Sequence, residues 1–250
     1  MFFIALLQLL VVILILRYLL RRKTGNPFSK KEITKFLGFG MLSLIIALLV
    51  PSLLLPIRSD MFFGMNPILS GFLTAFLTAA LTEELAKYLC FRIAMFRDKE
   101  VVNWHDVILA CIMIGIGFTI AEDIEFSLVG GANILRAFVP AHVLFQAIMG
   151  YFFGRACVKK SAADHILALA APISAHTLFD MFLIAAMSMV NGDPANLSNG
   201  FLETSPYKGY LTPIAIGCVT VIVLTILSLL VFLYKIGAWG KKGEKTELIK

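Results

Sequence analysis

Seven ionisable side chains stand inside apolar, helix-length stretches of this chain: Glu83, Glu84 and Lys87 in one, Glu122 in a second, His142 in a third, His176 and Asp180 in a fourth. A charged group near the centre of a bilayer is disfavoured by at least ~2.5 to 3.5 kcal/mol, so such groups face a protein interior or a water-filled cavity and serve a function by default. Carboxylates and imidazoles are also the groups that move protons, activate water and bind divalent metals. A polar site buried within the membrane is the expectation.

Each cluster has a chemical reading and a bland one. In Glu83-Glu84-Leu85-Ala86-Lys87, helical spacing puts Glu83 and Lys87 four apart on one face, with Glu84 beside Lys87. A carboxylate held in a low-dielectric pocket is suited to take a proton from water as a general base; the alternative is a structural ion pair locking two helices. Phe118-Thr119-Ile120-Ala121-Glu122-Asp123, followed by Glu125, gathers three carboxyls, which invites shared protons or a bound cation. Asp123 and Glu125 approach the interface and in the bland reading simply reach water, which leaves Glu122 as the candidate. His142, Gln146 and Gly150 recur every four residues as one polar stripe, and Gly150 with Gly154 makes a small-xxx-small pair for close helix contact. Taken alone, His142 reads equally as an interhelical hydrogen-bonding group or a catalytic one. His176 and Asp180 are four apart, so the carboxylate can orient the ring for work as a base, oxyanion donor or metal ligand, or the pair is a structural hydrogen bond.

The elements that must position these groups are membrane spans. The 250 residues are 59% hydrophobic and 15% charged, with mean hydropathy +0.88, which leaves almost no room for a soluble class. Spans are expected at about 2–20, 36–57, 67–96, 105–128, 133–157, 165–190 and 211–236. The fold class is therefore an all-α, polytopic transmembrane bundle of about seven helices, one membrane-embedded domain over 1–250 with its motif-bearing core at 67–190. The third run, about thirty residues or ~45 Å, exceeds the ~30 Å hydrocarbon core and should tilt, kink or project. Depth along the spans puts Glu83 and His176 near their centres, His142 slightly outward, and Glu122 and Asp180 further out, so four helices supply one stratum.

The net charge of +6 does not point to nucleic acid, because the basic residues crowd alternate loops. Arg17 to Lys35, Arg92 to Lys99, Arg155 to Lys160 and the tail are rich; the opposite side shows only Arg58, Arg136 and Lys208. The positive-inside rule then sets the amino terminus outside the cytoplasm and the carboxyl terminus within it, as seven spans require. The first helix has no preceding basic residue and no small-x-small cleavage site, so it reads as a retained anchor. Cys90, Cys111, Cys157 and Cys218 fall inside spans and read as apolar packing residues. The loop 191–210 carries Asn196-Leu197-Ser198, a glycosylation triplet that reads as chance.

Taken in order, Glu-Glu-x-x-Lys, Phe-x-x-x-Glu, an Arg with a His six residues on (Arg136, His142) and His-x-x-x-Asp resemble the motifs of the PrsW-type intramembrane proteases, over residues 82–180. That family is distantly similar to the type II CAAX prenyl endopeptidases. Members often show Glu-Asn where this chain has Glu122-Asp123, which puts local charge and metal preference in question. The resemblance implies an integral protein of the plasma membrane that cleaves membrane-anchored protein substrates, in bacteria typically an anti-sigma factor. On that reading Glu83 is the general base, Glu84 with Lys87 tunes its charge, His142 and His176 position water or stabilise the oxyanion, Asp180 orients His176, and Glu122 is a second acid or organiser. Metal-free glutamate chemistry ranks ahead of a zinc-like ion held by Glu122, His142 and His176, since no His-Glu-x-x-His motif is present. Gly-x-Ser-x-Gly and Gly-x-Gly-Asp motifs are likewise missing. The rival readings are a proton- or cation-coupled transporter, for which neither inverted repeats nor a broken helix is evident, and a non-proteolytic scaffold, suggested by the family's distant similarity to a non-catalytic subunit of gamma-secretase.

Overall fold

The computed structural model describes residues 2–23, 27–54, 59–62, 65–96, 98–128, 139–189 and 207–242; Arg58, Arg136 and the Asn196-Leu197-Ser198 triplet lie outside the described residues. Among the described residues the structure is helical: α1 (Phe2–Leu20), α2 (Lys30–Leu54), α3 (Pro67–Met95), α4 (Trp104–Leu128), α5 (Ala141–Lys159), α6 (Ala162–Met189) and α7 (Leu211–Lys242), with short 3-10 turns at Ser59–Phe62 and Lys208–Tyr210. Six helices are long and apolar enough to cross a membrane, and Leu6–Leu20 of α1 forms a shorter apolar helix. The chain is an integral, multi-pass membrane protein.

Helix α4 is the pillar. It is apolar all round, and every residue from His105 to Thr119 is buried, the pattern of a helix with protein on all sides. It packs against α5 on one side and α2 on another; α6 packs on α5 and α3, while α1 and α7 close the outside. With no water to drive helices together inside lipid, close backbone approach carries the association. At the α2–α4 crossing, a Cβ on Gly117 would stand 2.1 Å from the Leu37 carbonyl and one on Gly40 2.2 Å from the Ile114 carbonyl. The Gly150 and Gly154 pair of α5 faces α4 in the same way, against Ile108 Cα and the Trp104 ring.

The chain runs up and down, so alternate helix ends meet. Lys23 after α1 pairs with Asp106 at the start of α4 at 3.0 Å, Lys35 of α2 pairs with Asp98 between α3 and α4, and Arg155 of α5 pairs with Asp164 of α6 at 3.2 Å. His105 Nε2 stands 3.1 Å from the Ile236 carbonyl of α7 at that same end. The residues of the crowded basic loops therefore share one end of the bundle, the end that the charge pattern assigns to the cytoplasm.

Several bounds differ from expectation: α2 begins at Lys30 and not 36, and α7 runs to Lys242 and not 236. Of the helix expected over 133–157, residues 133–138 lie outside the described residues; Pro140 stands at the cap of α5 and Val139 is not helical, so His142 lies in the first turn of α5. The overlong third run stays one helix but contains a π-helical stretch, Ala75–Ala80, one turn before the glutamates. Such wide turns re-aim the side chains that follow and recur at functional sites.

Candidate active site

Helix α3 delivers the central groups. Asn66 caps its start, its side-chain oxygen accepting from the amides of Ile68 (3.0 Å) and Leu69 (3.3 Å), and Pro67 occupies the first turn where no amide partner is needed. Beyond the π stretch, Glu83, Glu84 and Lys87 all turn inward. Lys87 Nζ donates to Glu84 Oε1 at 2.8 Å and Glu83 Oε2 at 3.1 Å, lies 3.0 Å from His142 Nδ1, and sits 3.6 Å from the centre of the Phe118 ring. The ammonium therefore spends its three protons on three polar partners and its remaining face on an aromatic quadrupole.

The site has two layers. Glu84 and Lys87 are 0% exposed, whereas the side chains of Glu83 and Asp180 are 16% and 23% exposed, so the first pair lies beneath and the second faces open space. Glu84 is fully engaged: Oε2 accepts from Gln146 Nε2 at 2.7 Å, and Oε1 accepts from Lys87 and lies 3.0 Å from His176 Nδ1. This lower layer holds the Nδ1 atom of each ring, His142 by Lys87 and His176 by Glu84. Both Nε2 atoms are thereby left to the upper layer, each 4.0 Å from Glu83 Oε2. Beyond them, Glu122 Oε2 lies 2.9 Å from His142 Nε2 and Asp180 Oδ2 lies 3.0 Å from His176 Nε2. With Lys87 donating into Nδ1, His142 carries its proton on Nε2 and donates it to Glu122. Phe145 stacks on the His176 ring at 4.7 Å and Phe118 meets the His142 ring edge-on at 4.7 Å, which fixes both ring planes.

A cavity of about 500 Å³ opens over this layer. Glu83, Glu122, His142, His176 and Asp180 line its polar side; Phe145, Phe179, Leu183 and Met187 line the apolar side. All seven residues singled out from sequence thus belong to one connected group, five on the cavity wall and two supporting them. Gln146 of the polar stripe joins it, while Gly150 serves packing. Sequence reasoning missed Phe145, Phe118 as the ring over Lys87, and Gln8 of α1, whose amide donates to Asp123 Oδ1 at 2.9 Å while 2% exposed. Phe145 carries a legible signal, three residues after His142 on one helix face; Gln8 offers only that it is the sole polar residue in its apolar run.

The donor set fits a divalent metal. Glu83, Glu84, His142 and His176 each offer a ligand atom, all within 4.8 Å of one another. Around the cavity and beneath it five carboxyls, Glu83, Glu84, Glu122, Asp123 and Asp180, accompany one ammonium and two imidazoles, a deficit of positive charge that protons or a cation must make up.

The site is a buried acid–imidazole centre shared among four membrane helices. A sequence profile of the PrsW family intramembrane metalloproteases matches residues 29–201, and the chain belongs to that family. It is 33% identical over 108 residues to the protease PrsW of Geobacillus kaustophilus, 29% over 106 residues to that of Oceanobacillus iheyensis and 27% over 128 residues to that of Halalkalibacterium halodurans. These alignments cover 41%, 40% and 49% of this chain and 48%, 49% and 58% of those proteins, so the chain spans about half the length of the curated relatives it matches. No solved structure matches.

Proposed function

We propose that this chain is an intramembrane endopeptidase of the plasma membrane that cleaves membrane-anchored protein substrates, with Glu83 as the base that activates water. The observation that carries this reading is the position of the Glu83 carboxylate, cavity-facing and 4.0 Å from each of two imidazole Nε2 atoms whose other nitrogens are held from below. A water hydrogen-bonded to Glu83 there would lie within reach of both rings. Glu83 takes its proton as the oxygen attacks the peptide carbonyl, and the proton passes to the leaving nitrogen. His142 and His176 present N–H groups to the oxyanion; Glu84 and Asp180 hold the His176 ring, and Lys87 and Glu122 hold the His142 ring. The apolar wall of Phe179, Leu183 and Met187 suits the side chains of a substrate segment drawn from lipid.

His142, His176 and Glu122 are the residues that would hold a divalent metal such as zinc, leaving Glu83 opposite them as the base. Bound there, the metal would polarise the carbonyl and lower the pKa of its water. Glu122 shares the cavity wall with both rings whereas Glu84 is submerged, which favours Glu122 as the carboxylate ligand.

The test is a comparison of membrane proteomes from cells carrying the wild-type chain or Glu83→Gln at equal abundance. The expected result is one or a few membrane-anchored proteins that accumulate uncut beside the variant. Identical proteomes, with the variant folded and inserted, would refute the proteolytic reading.

A further inference from the structure

We infer that the outer face of α2 is a binding site for one anionic phospholipid of the surrounding bilayer. The hollow there has a volume of about 580 Å³ and lies away from the active-site cavity. Lys30, Lys31 and Lys35 stand at its head with the Thr34 hydroxyl, and Gly38, Phe39 and Leu42 form its floor. Among the described residues no acidic side chain lines it; the acids that contact Lys35, Glu32 and Asp98, line the adjoining hollow toward α3, which shares Lys31, Lys35 and Phe39 with it.

Three features make this face fit a phospholipid and no smaller anion. The polar head and the apolar floor follow one another along a single helix, from Lys31 to Leu42, a rise of ~16 Å at 1.5 Å per residue. That is the depth of one leaflet, half of the ~30 Å hydrocarbon core, so a phosphate at the lysines lays its acyl chain beside Phe39 and Leu42. Gly38 creates the hollow: it is exposed, and a Cβ there would meet nothing within 4 Å, so an acyl chain rests on bare helix backbone. The ammonium groups lie at the bundle end that carries the basic loops, at the level where headgroup phosphates sit, and each lysine near an anionic surface adds about fivefold to binding. The opposite face of α2 makes the Gly40–Gly117 crossing with α4, so the lipid seats a helix that braces the pillar of the site.

The experiment is native mass spectrometry of the full chain released from detergent with equimolar phosphatidylglycerol and phosphatidylethanolamine. The wild-type chain should retain one phosphatidylglycerol about tenfold in preference. Lys30→Gln/Lys31→Gln should abolish that preference. Gly38→Phe, which fills the hollow without changing charge, should release the lipid while melting like the wild type. Lys159→Gln/Lys160→Gln, with the same charge loss elsewhere, should retain it. Equal retention of the two lipids by the wild type, or retention of phosphatidylglycerol unchanged by both Lys30→Gln/Lys31→Gln and Gly38→Phe, would overturn the assignment. Adducts of inorganic phosphate that depend on Lys30 and Lys31 without any lipid preference would equally overturn it.

Discussion

Replacing Lys87 by Met keeps the length and apolar stem of the side chain and removes only the ammonium. In the folded bundle that buried ammonium contacts two carboxylates at 2.8 and 3.1 Å, an imidazole nitrogen at 3.0 Å and an aromatic ring, of which only Glu83 reaches the cavity. Without it, Glu84 keeps only the Gln146 amide and the His176 ring as donors, and His142 Nδ1 faces a methyl group. Breaking a buried pair by deleting one partner costs ~3 to 5 kcal/mol, because the partner's charge remains desolvated. For a chain of this size each kcal/mol moves Tm by ~2 to 4 °C, so Lys87→Met should melt roughly 10 °C below the wild type. Fluorescence of Trp104, hydrogen-bonded to the Tyr151 carbonyl at 3.1 Å inside the bundle, reports the transition in detergent. Lys87→Met/Glu84→Leu removes charge from both sides and should lose less than the sum of the single variants by at least ~1 kcal/mol. A Tm within about 2 °C of wild type for Lys87→Met, or strictly additive variants, would refute the buried network, since exposed or unconnected lysines behave that way.

Gln146→Leu deletes the 2.7 Å donor to the submerged Glu84 and should lower stability by about 1.5 kcal/mol; no measurable loss in the same melt would place that carboxylate in water. Gly117→Leu drives a side chain into the Leu37 carbonyl and should abolish folded yield on size-exclusion chromatography, whereas Gly38→Leu, on the outer face of α2 where a Cβ meets nothing within 4 Å, should elute normally. Metal analysis should find Glu122→Gln and His142→Ala depleted in bound zinc and Glu83→Gln loaded. Zinc retained by Glu122→Gln and lost by Glu83→Gln would exchange the roles of those two carboxylates. Because ligands must be free of protons to bind a metal, zinc affinity should rise with pH, and a flat profile in calorimetry would exclude ligation by this acid–imidazole set.

The membrane class, the number of spans and the grouping of Glu83, Glu84, Lys87, Glu122, His142, His176 and Asp180 were legible because buried charge is rare enough to be informative wherever it occurs. Spacing within one helix was legible too, as the Glu83–Lys87 and His176–Asp180 contacts illustrate. The division of labour between adjacent residues, Glu83 as base and Glu84 as its support, came from the family resemblance and not from residue type; in the structure the α3 register makes Glu83 a cavity wall and buries Glu84 beneath it. The place of His142 in the first turn of α5 is set by Pro140 at its cap, which no change in hydropathy marks in the sequence. Gln8 reaching Asp123 from α1 was invisible for a third reason, since a contact across 115 residues leaves no periodicity to detect.

The proposed activity requires that side chains from four helices act as a single hydrolytic unit. The most direct measurement is the rate at which purified protein in proteoliposomes cuts the membrane protein that accumulates beside Glu83→Gln, compared among Glu83→Gln, His176→Asn and the double variant. Groups of one unit are grossly non-additive, so each single variant should lose at least ~10²-fold and the double variant no more than the worse single one. Losses that multiply, or cleavage by Glu83→Gln at the wild-type rate, would contradict it.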